Sequence, residues 1–313
     1  ELTLGTAEAS ATEFWFVVPP VALASGYSVK VAGFYGGEQT IDFPATTFAS
    51  GAIYNIGAEV TVSTSCPGMG VGGWGDGGEG INEISTYWGA TSGSLVEHLN
   101  SQGYKVYAPS VGPVSSAWDR ACELYAQLTG TTVDYGEVHS KEHNHARYGR
   151  TYSTPLFEGW GEKINGGQRV KINLIGHSFG GTTARMFVQL MSEGSPEEIA
   201  ATPAGEISPL FTGGKADWIK SVTTICTPHN SSTVYYPLKA LGLYEIVQNI
   251  SFLYAGVMGR TFFNGRLVDF HLEQFGLTDV PGGEKADNLF VSMKRILSNK
   301  TDCCLFDLTP AGS

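Results

Sequence analysis

The chain has 313 residues, of which 42% are hydrophobic and 16% charged, a composition that excludes a disordered chain and a coiled coil. Nineteen Lys and Arg residues against 30 Asp and Glu residues give a formal net charge of −11. Because phosphate contacts need clustered basic side chains, we do not expect an acidic chain without a basic run to bind nucleic acid. The length favours about two domains.

We expect neither a membrane-spanning helix nor a signal peptide within the given residues. The longest apolar stretch, residues 246–259, is shorter than the ~18 residues that a membrane-spanning helix needs. The chain begins at Glu1, and residues 1–29 contain no Lys or Arg, so the charge pattern of a signal peptide is missing. We expect either that a targeting segment has been removed or that the chain is an excerpt of a longer one.

The spacing of the cysteines predicts neither a zinc ribbon nor a disulfide scaffold. They are Cys66, Cys122, Cys226, Cys303 and Cys304.

Residues 1–63 are typical of β-structure. Short β-branched and aromatic runs at 14–18, 27–32 and 59–62 are separated by turn residues, a pattern that predicts hairpins, too few to close a sandwich. The segment resembles the end of a fimbrillin-like surface domain of gut bacteria. We therefore predict a β-rich segment over 1–63 and a second domain over 64–313.

The second domain alternates between helical and strand patterns. Apolar residues at helical spacing predict helices over 95–99, 118–128 and 184–191, and β-branched runs predict strands over 105–108, 170–175 and 221–226. Alternating strands and helices favour an α/β fold, in which a mostly parallel sheet is covered by helices.

The sharpest motif is Gly176-His177-Ser178-Phe179-Gly180, which matches G-x-S-x-G between a predicted strand and a predicted helix. Such a turn strains the central residue and exposes its hydroxyl beside a helix N-terminus, where a developing anion is stabilised. Ser178 is therefore a candidate nucleophile. The alternative is a glycine-rich turn that contains an incidental serine.

Acyl transfer also requires an oxyanion hole, usually formed by two backbone N–H groups. The residue after the nucleophile, Phe179, would supply one, and Val71 in the glycine-rich stretch 68–75, which we expect to be a loop, would supply the other. The same stretch spells the dinucleotide-binding pattern G-x-G-x-x-G. We disfavour that interpretation because glycines continue to residue 80 instead of opening a helix.

A second cluster of chemistry-bearing residues comprises Asp119, His139 and His145, with His143 between the histidines. Imidazole nitrogens and carboxylate oxygens suit a tetrahedral zinc site. The run 135–152 is polar and is predicted to be a loop, where histidines are commonly just solvated. Spacing alone leaves both interpretations open.

From Cys66 onward the chain resembles the zinc-containing secreted lipases of thermoalkalophilic bacilli, which are relatives of the staphylococcal lipases. The motifs that carry the resemblance include Tyr87-Trp88-Gly89, the run at 111–123, the run at 145–152, the turn at 176–181, Thr227-Pro228-His229 and Asp307-Leu308.

The resemblance implies an α/β-hydrolase fold and a triacylglycerol lipase that cleaves acylglycerol esters at a lipid interface, outside the cytoplasm. It implies a lid over residues 233–258 and a structural zinc ion, with calcium possible in the full-length protein. The site residues it implies are Ser178 as nucleophile, Val71 and Phe179 as oxyanion donors, and Asp119, His139, His145 and Asp302 as zinc ligands.

The family's catalytic Asp and His, and the C-terminal part of its fold, correspond to positions beyond Ser313. His229 and His271 are the histidines after Ser178, and neither matches the family base. We therefore expect residues 1–313 alone to be nearly inactive. Two alternative functions are a zinc-dependent hydrolase that uses the Asp119 site catalytically, and a non-catalytic surface or adhesive protein with a hydrolase-like shell.

Overall fold

The computed structural model describes residues 21–32, 38–48, 68–71, 87–88, 93–102, 104–164, 168–258, 269–277 and 286–313. The chain divides into two compact units. One comprises Glu1–Cys66 with Asn100–Lys105, and the other comprises Pro67–Leu99 with Val106–Ser313.

The described residues of the first unit form two antiparallel strand pairs. Strand β1 (Val21–Leu23) pairs with β4 (Thr46–Phe48), and β2 (Tyr27–Ala32) pairs with β3 (Glu38–Phe43). The predicted strand over 27–32 is confirmed. The strands expected at 14–18 and 59–62 lie outside the described residues.

A four-stranded sheet forms the centre of the second unit. Its neighbouring strands are all parallel and follow the order β12-β11-β5-β6, whereas β7 pairs antiparallel with β8, and β9 with β10. The strands of this unit are β5 (Gly68–Val71), β6 (Val106–Tyr107), β7 (Thr132–Asp134), β8 (Tyr148–Thr151), β9 (Lys163–Ile164), β10 (Gln168–Arg169), β11 (Ile172–His177) and β12 (Ile219–Ile225).

Helices connect these strands, as the alternating sequence pattern predicts. Three short 3₁₀ segments supplement them at Pro209–Thr212, Ala216–Trp218 and Glu273–Phe275. The helices are α1 (Leu95–Ser101), α2 (Ala117–Thr129), α3 (Glu137–Glu142), α4 (Phe179–Glu193), α5 (Pro196–Ala201), α6 (Tyr235–Ala240), α7 (Tyr244–Met258), α8 (Leu289–Ser298) and α9 (Cys304–Asp307).

Helix α2 is buried over most of its length and packs against α4. Ser116 caps its start by accepting a hydrogen bond from the Asp119 N–H, and Gly130 ends it in the left-handed conformation, with φ of 66°. Leu124 and Leu128 lie in the same apolar core as Phe187 of α4. Each such side chain contributes about 1.5–3 kcal/mol when fully buried. The packing of α2 against α4 therefore stabilises the apolar core of this unit.

The prediction of a polar loop over 135–152 is wrong, since the segment contains α3 and β8. Strand β8 forms because Thr132 and Asp134 of β7 pair with Thr151 and Tyr148. Helix α3 forms because its first N–H groups are satisfied by the buried carboxylate of Glu198, a residue of α5. Both causes are tertiary, so local polarity could not reveal them.

Candidate functional site

Ser178 lies at the turn between β11 and α4, as the motif predicts. Its backbone has φ of 54° and ψ of −128°, a region that residues with a side chain rarely occupy. The turn is held in place because the Ser178 N–H donates to the carbonyl oxygen of Ile225 at 2.8 Å. The side chain is half-buried, so its hydroxyl is not enclosed in the core.

The glycines that flank Ser178 are sterically required. A Cβ on Gly176 would lie 2.5 Å from the carbonyl oxygen of Gly180, and a Cβ on Gly181 would overlap the side chain of Thr227. Both approaches are closer than real Cβ contacts allow. The sequence therefore adopts this sharp turn only with glycine two residues before Ser178 and three residues after it.

Two backbone N–H groups are candidates for an oxyanion hole. Phe179 is the first residue of α4, where an N–H has no partner within the helix. Val71 ends β5 and is paired in register with Gly176 of β11. The expected loop at 68–75 is thus wrong in its first half, because Gly68–Val71 extends the parallel sheet as a strand; residues 72–75 lie outside the described residues.

Three histidines can be considered as a general base for Ser178, and each of them has another polar partner. His177 Nδ1 lies 2.6 Å from the Tyr87 hydroxyl, and His229 Nε2 lies 3.0 Å from Thr224 Oγ1. His271 is buried, with Nε2 2.9 Å from Ser110 Oγ. We assign none of them as a base for Ser178.

Asp119, His139, His145 and Asp302 lie together, with one candidate ligand atom from each residue within 4.8 Å of all the others. His139 Nε2 is 3.1 Å from Asp119 Oδ1 and 3.3 Å from Asp302 Oδ1, and His145 Nε2 is 3.3 Å from Asp302 Oδ2. Ligands about 2.0–2.2 Å from a tetrahedral ion are separated by about 3.3–3.6 Å. The four residues therefore have the spacing and the chemistry of a metal site.

Two buried atoms of this cluster, His145 Nε2 and Asp302 Oδ1, make no hydrogen bond of acceptable geometry, although each lies 3.3 Å from another atom of the cluster. His145 Nδ1 lies 2.8 Å from the carbonyl oxygen of Ala146. Since a carbonyl oxygen only accepts, Nδ1 carries the hydrogen and the lone pair of Nε2 points toward the cluster. Burying such atoms without a partner is costly, and a cation would satisfy both.

The electrostatics of the cluster also favour a cation. Burial alone would lower the pKa of His139, but the hydrogen bonds and charges of Asp119 and Asp302 raise it to about 10. The pKa of His145 is raised too, because the same carboxylates outweigh its burial. A site that binds protons this tightly presents the concentrated negative charge that a metal ion would otherwise neutralise.

Glu198 fixes the position of His139 on α3. Its carboxylate, which is almost fully buried, accepts hydrogen bonds from the N–H groups of Glu137 at 2.7 Å and His139 at 2.8 Å. Gly136 precedes α3 with φ of 99°, and a Cβ there would overlap the Glu198 carboxylate. Glu198 was not identified from the sequence, because no motif near residue 198 indicates a contact with His139.

Gln274 is a second residue that sequence reasoning missed. It is fully buried, and its side-chain Nε2 donates to Asp119 Oδ2 at 3.1 Å while its backbone carbonyl oxygen accepts from the Ala146 N–H at 2.8 Å. The segment 269–277 is thereby tied to the cluster. Partners that orient the ligands of a metal in this way commonly tune its affinity.

Aromatic rings enclose the histidines. Trp118 stacks on the His139 ring at a centroid distance of 5.0 Å, and Phe211 stacks on the other side of Trp118 at 5.4 Å. Tyr135 and Phe275 contact the His145 ring edge-on. Rings packed from several sides hold the imidazoles in one orientation.

The family model described as "Lipase-like, C-terminal domain" matches residues 70–313, and the chain belongs to this family. Among curated proteins, it is 38% identical over 229 residues to Lipase 2 of Staphylococcus aureus and 35% identical over 236 residues to a lipase of Staphylococcus epidermidis. These matches cover 72% and 74% of this chain. The predicted relationship to the staphylococcal lipases is confirmed.

Solved structures agree with the sequence comparison. Lipase 1 from Pelosinus fermentans superposes with a TM-score of 0.62 at 40% identity, over 79% of this chain and 63% of that chain. The Staphylococcus hyicus lipase superposes with a TM-score of 0.66 at 31% identity, over 79% of this chain and 61% of that chain. The chain spans about a third of the length of the curated relatives, since the matches cover 31% and 32% of them.

Proposed function

We propose that this protein is a serine hydrolase of the triacylglycerol lipase type, which cleaves the carboxylic esters of acylglycerols. The observation that carries the proposal is the strained backbone of Ser178, with φ of 54° between a parallel strand and a helix. Membership of the lipase-like family supports it. The same turn on a parallel sheet supports an α/β-hydrolase fold for residues 64–313, preceded by a β-rich domain over 1–63.

The chemistry would be acyl transfer in two steps. Ser178 Oγ would attack the ester carbonyl and release the alcohol, and water would then hydrolyse the acyl-enzyme. The N–H groups of Phe179 and Val71 would stabilise the oxyanion; one such donor is commonly worth about 10²–10³ in kcat. A general base must accept the Ser178 proton.

Zinc is the metal we propose for the cluster. Two imidazoles and two carboxylates are ligand types that Zn²⁺ accepts, and four protein ligands complete a tetrahedron with no position left for water. The ion would therefore stabilise the fold rather than take part in ester cleavage. The buried side chains of His145 and Asp302, each with 0% exposure, support this structural role over the alternative of a zinc-dependent hydrolase.

Residues 233–258 would form a lid that meets the lipid surface. They contain α6 and α7, and α7 buries a narrow face that includes Phe252 and Ala255. Its opposite face exposes Ile246, Ile250 and Leu253, each more than half exposed. Among the described residues, no helix is long and apolar enough to cross a membrane. An exposed apolar face of this kind is suited to an interface that it contacts from one side.

The family resemblance further supports a location outside the cytoplasm, at the cell surface or secreted, and calcium binding by the full-length protein. The resemblance of residues 1–63 to a fimbrillin-like domain remains a prediction.

Covalent labelling tests the proposal most directly. A fluorophosphonate reacts with an activated serine in a hydrolase site, so the full-length protein should be labelled at Ser178 and the Ser178→Ala variant should not. Peptide mapping would locate the label. Absence of labelling in a folded protein that contains the metal would favour the non-catalytic surface protein instead.

The lid has a separate test. Ile250→Ser should lower activity on emulsified triacylglycerol several-fold and leave activity on a soluble short-chain ester nearly unchanged. An equal loss on both substrates would contradict the lid assignment.

A further inference from the structure

A charged side chain lies completely buried beside the turn at residues 176–181 that contains Ser178. Arg120 of α2 directly follows Asp119 and has 0% exposure. Its guanidinium carbon lies 5.0 Å from the centroid of the Phe179 ring. Its Nε donates to Thr183 Oγ1 at 2.9 Å, and its NH1 group donates to the carbonyl oxygen of Gly112 at 3.1 Å.

These contacts converge on a single peptide of α4. Thr183 Oγ1, which Arg120 engages, donates to the carbonyl oxygen of Phe179 at 3.2 Å, and Thr182 Oγ1 donates to the same oxygen at 2.6 Å. The Phe179 ring is thus held from one side by a guanidinium, and its carbonyl is held by two hydroxyls. Fixing both constrains the first turn of α4, whose first N–H belongs to Phe179.

Phe179 also packs against residues that lie close in sequence to two of the metal ligands. Its apolar cluster contains Ala117, which precedes Asp119 by two residues, and Cys304, which follows Asp302 by two residues. The side chains of Met186, Leu305 and Leu308 pack against the same cluster. The ring is therefore fixed by apolar packing as well as by the guanidinium.

We propose that Arg120 is a positioning residue that aligns the oxyanion-stabilising N–H of Phe179. The proposal rests on the proposed serine hydrolase function. Arginine is suited to the role because its planar guanidinium can stack on an aromatic ring and donate hydrogen bonds from its edge at the same time. Lysine keeps the positive charge but lacks this planar geometry. Oxyanion stabilisation depends on donors fixed before the reaction.

The test uses the full-length, metal-containing protein and a soluble p-nitrophenyl ester. Active sites are counted by titration with a fluorophosphonate, so that kcat refers to competent sites only. Arg120→Lys should lower kcat about 10- to 100-fold and change KM less than twofold, as expected when stabilisation is lost in the transition state alone. The matched control is Arg150→Lys, another largely buried arginine, which pairs with Asp269 and Glu273; its kcat per site should stay within twofold.

A second variant separates alignment from a general loss of folding. Phe179→Leu retains the backbone N–H but removes the ring on which Arg120 stacks, and it leaves the metal ligands and their neighbours on α2 unchanged. The double variant Arg120→Lys/Phe179→Leu should lose no more kcat than the larger single effect, because both disrupt one contact.

The proposal is overturned if Arg120→Lys keeps kcat per site within threefold of the unmodified protein. It is also overturned if both arginine variants lose kcat equally, or if the effects of Arg120→Lys and Phe179→Leu multiply. If the unmodified protein is not labelled at Ser178 at all, it is the serine hydrolase function that fails.

Discussion

The turn at 176–181, which holds the proposed nucleophile Ser178, and the proposed metal cluster are built in opposite ways. Ser178 obtains its geometry from these six consecutive residues together with one hydrogen bond that its N–H donates to β12. The metal cluster draws Asp119 from α2, two histidines from the segment around α3, and Asp302 from a position more than 150 residues later. A local device can be predicted from a motif, whereas a distributed one depends on the entire unit being folded. Loss of the first should therefore affect chemistry, and loss of the second should affect stability.

The largest separation of the two regions is expected from Ser178→Ala. Without its nucleophile the full-length protein should lose about 10⁴-fold or more in kcat on a soluble ester. The variant should keep its melting temperature and metal content, because the hydroxyl is half-buried and contributes little to packing. Ester hydrolysis, calorimetry and elemental analysis are the measurements. A large loss of stability would show that the turn has a structural role as well.

The converse change is the removal of a metal ligand. His145→Ala removes a ligand of the proposed ion and leaves His139 as the one imidazole facing the buried carboxylates of Asp119 and Asp302. It should lower the free energy of unfolding by about 3 kcal/mol or more. Denaturant unfolding with and without a chelator would measure it. The chelator should destabilise the unmodified protein strongly and the variant only slightly. Equal destabilisation of both by the chelator would contradict the assignment of these four ligands.

The titration of Asp307 should make the free energy of unfolding depend on pH. Burial raises the pKa of its carboxyl to about 7, and the charges of Asp302 and Asp119 add to that rise. The folded protein thus keeps this proton at a pH where the unfolded chain has lost it. Its contribution to stability is therefore complete below about pH 4 and is lost as the pH rises through 7. The free energy of unfolding should fall by about 2 kcal/mol between pH 5 and 7.

Asp307→Asn should abolish that fall because asparagine does not titrate. Its side-chain oxygen can still accept the Ala117 N–H bond that Asp307 accepts at 2.6 Å. Asp217→Asn is the control. The pKa of Asp217 is lowered by its hydrogen bond with Arg169, so it titrates below this window and its removal should leave the slope between pH 5 and 7 unchanged. Denaturant unfolding at several pH values gives both slopes, and parallel curves for the unmodified protein and Asp307→Asn would contradict the expectation.

The smallest expected effect concerns the turn itself. Gly176→Ala places a Cβ 2.5 Å from the Gly180 carbonyl oxygen and should cost about 1–2 kcal/mol through overpacking. Gly205→Ala is the matched control, because a Cβ at that position meets no atom within 4 Å. Chemical denaturation of both variants measures the two changes in the free energy of unfolding. If the two substitutions had equal effects, the steric requirement at Gly176 would be wrong.

Much of the central fold could be predicted from sequence, because it depends on local periodicity. Helix α2 (Ala117–Thr129) covers the predicted residues 118–128, and β2 spans the predicted residues 27–32. The prediction failed where distant contacts decide. The run over 135–152 is polar, yet Glu198 and β7 turn it into a helix and a strand.

The candidate site divides along the same line. Ser178 could be identified from its motif alone, whereas spacing left the histidines undecided and only the family resemblance brought in Asp302. Gln274 and Glu198, which orient the ligand groups, left no local signal, since a buried glutamine or glutamate in a short segment resembles any surface residue in sequence.

The carboxylate of Glu198 has a consequence for protein engineering. It holds the start of α3 from a helix about 60 residues away, so the peptide that contains both histidines is not a portable module. Grafting 135–146 onto another scaffold would carry over the two ligand imidazoles, His139 and His145, without the anchor that spaces them. A successful transplant would need α5 as well. Chain rearrangements that separate α3 from α5 should first lower the affinity of the cluster for its metal ion.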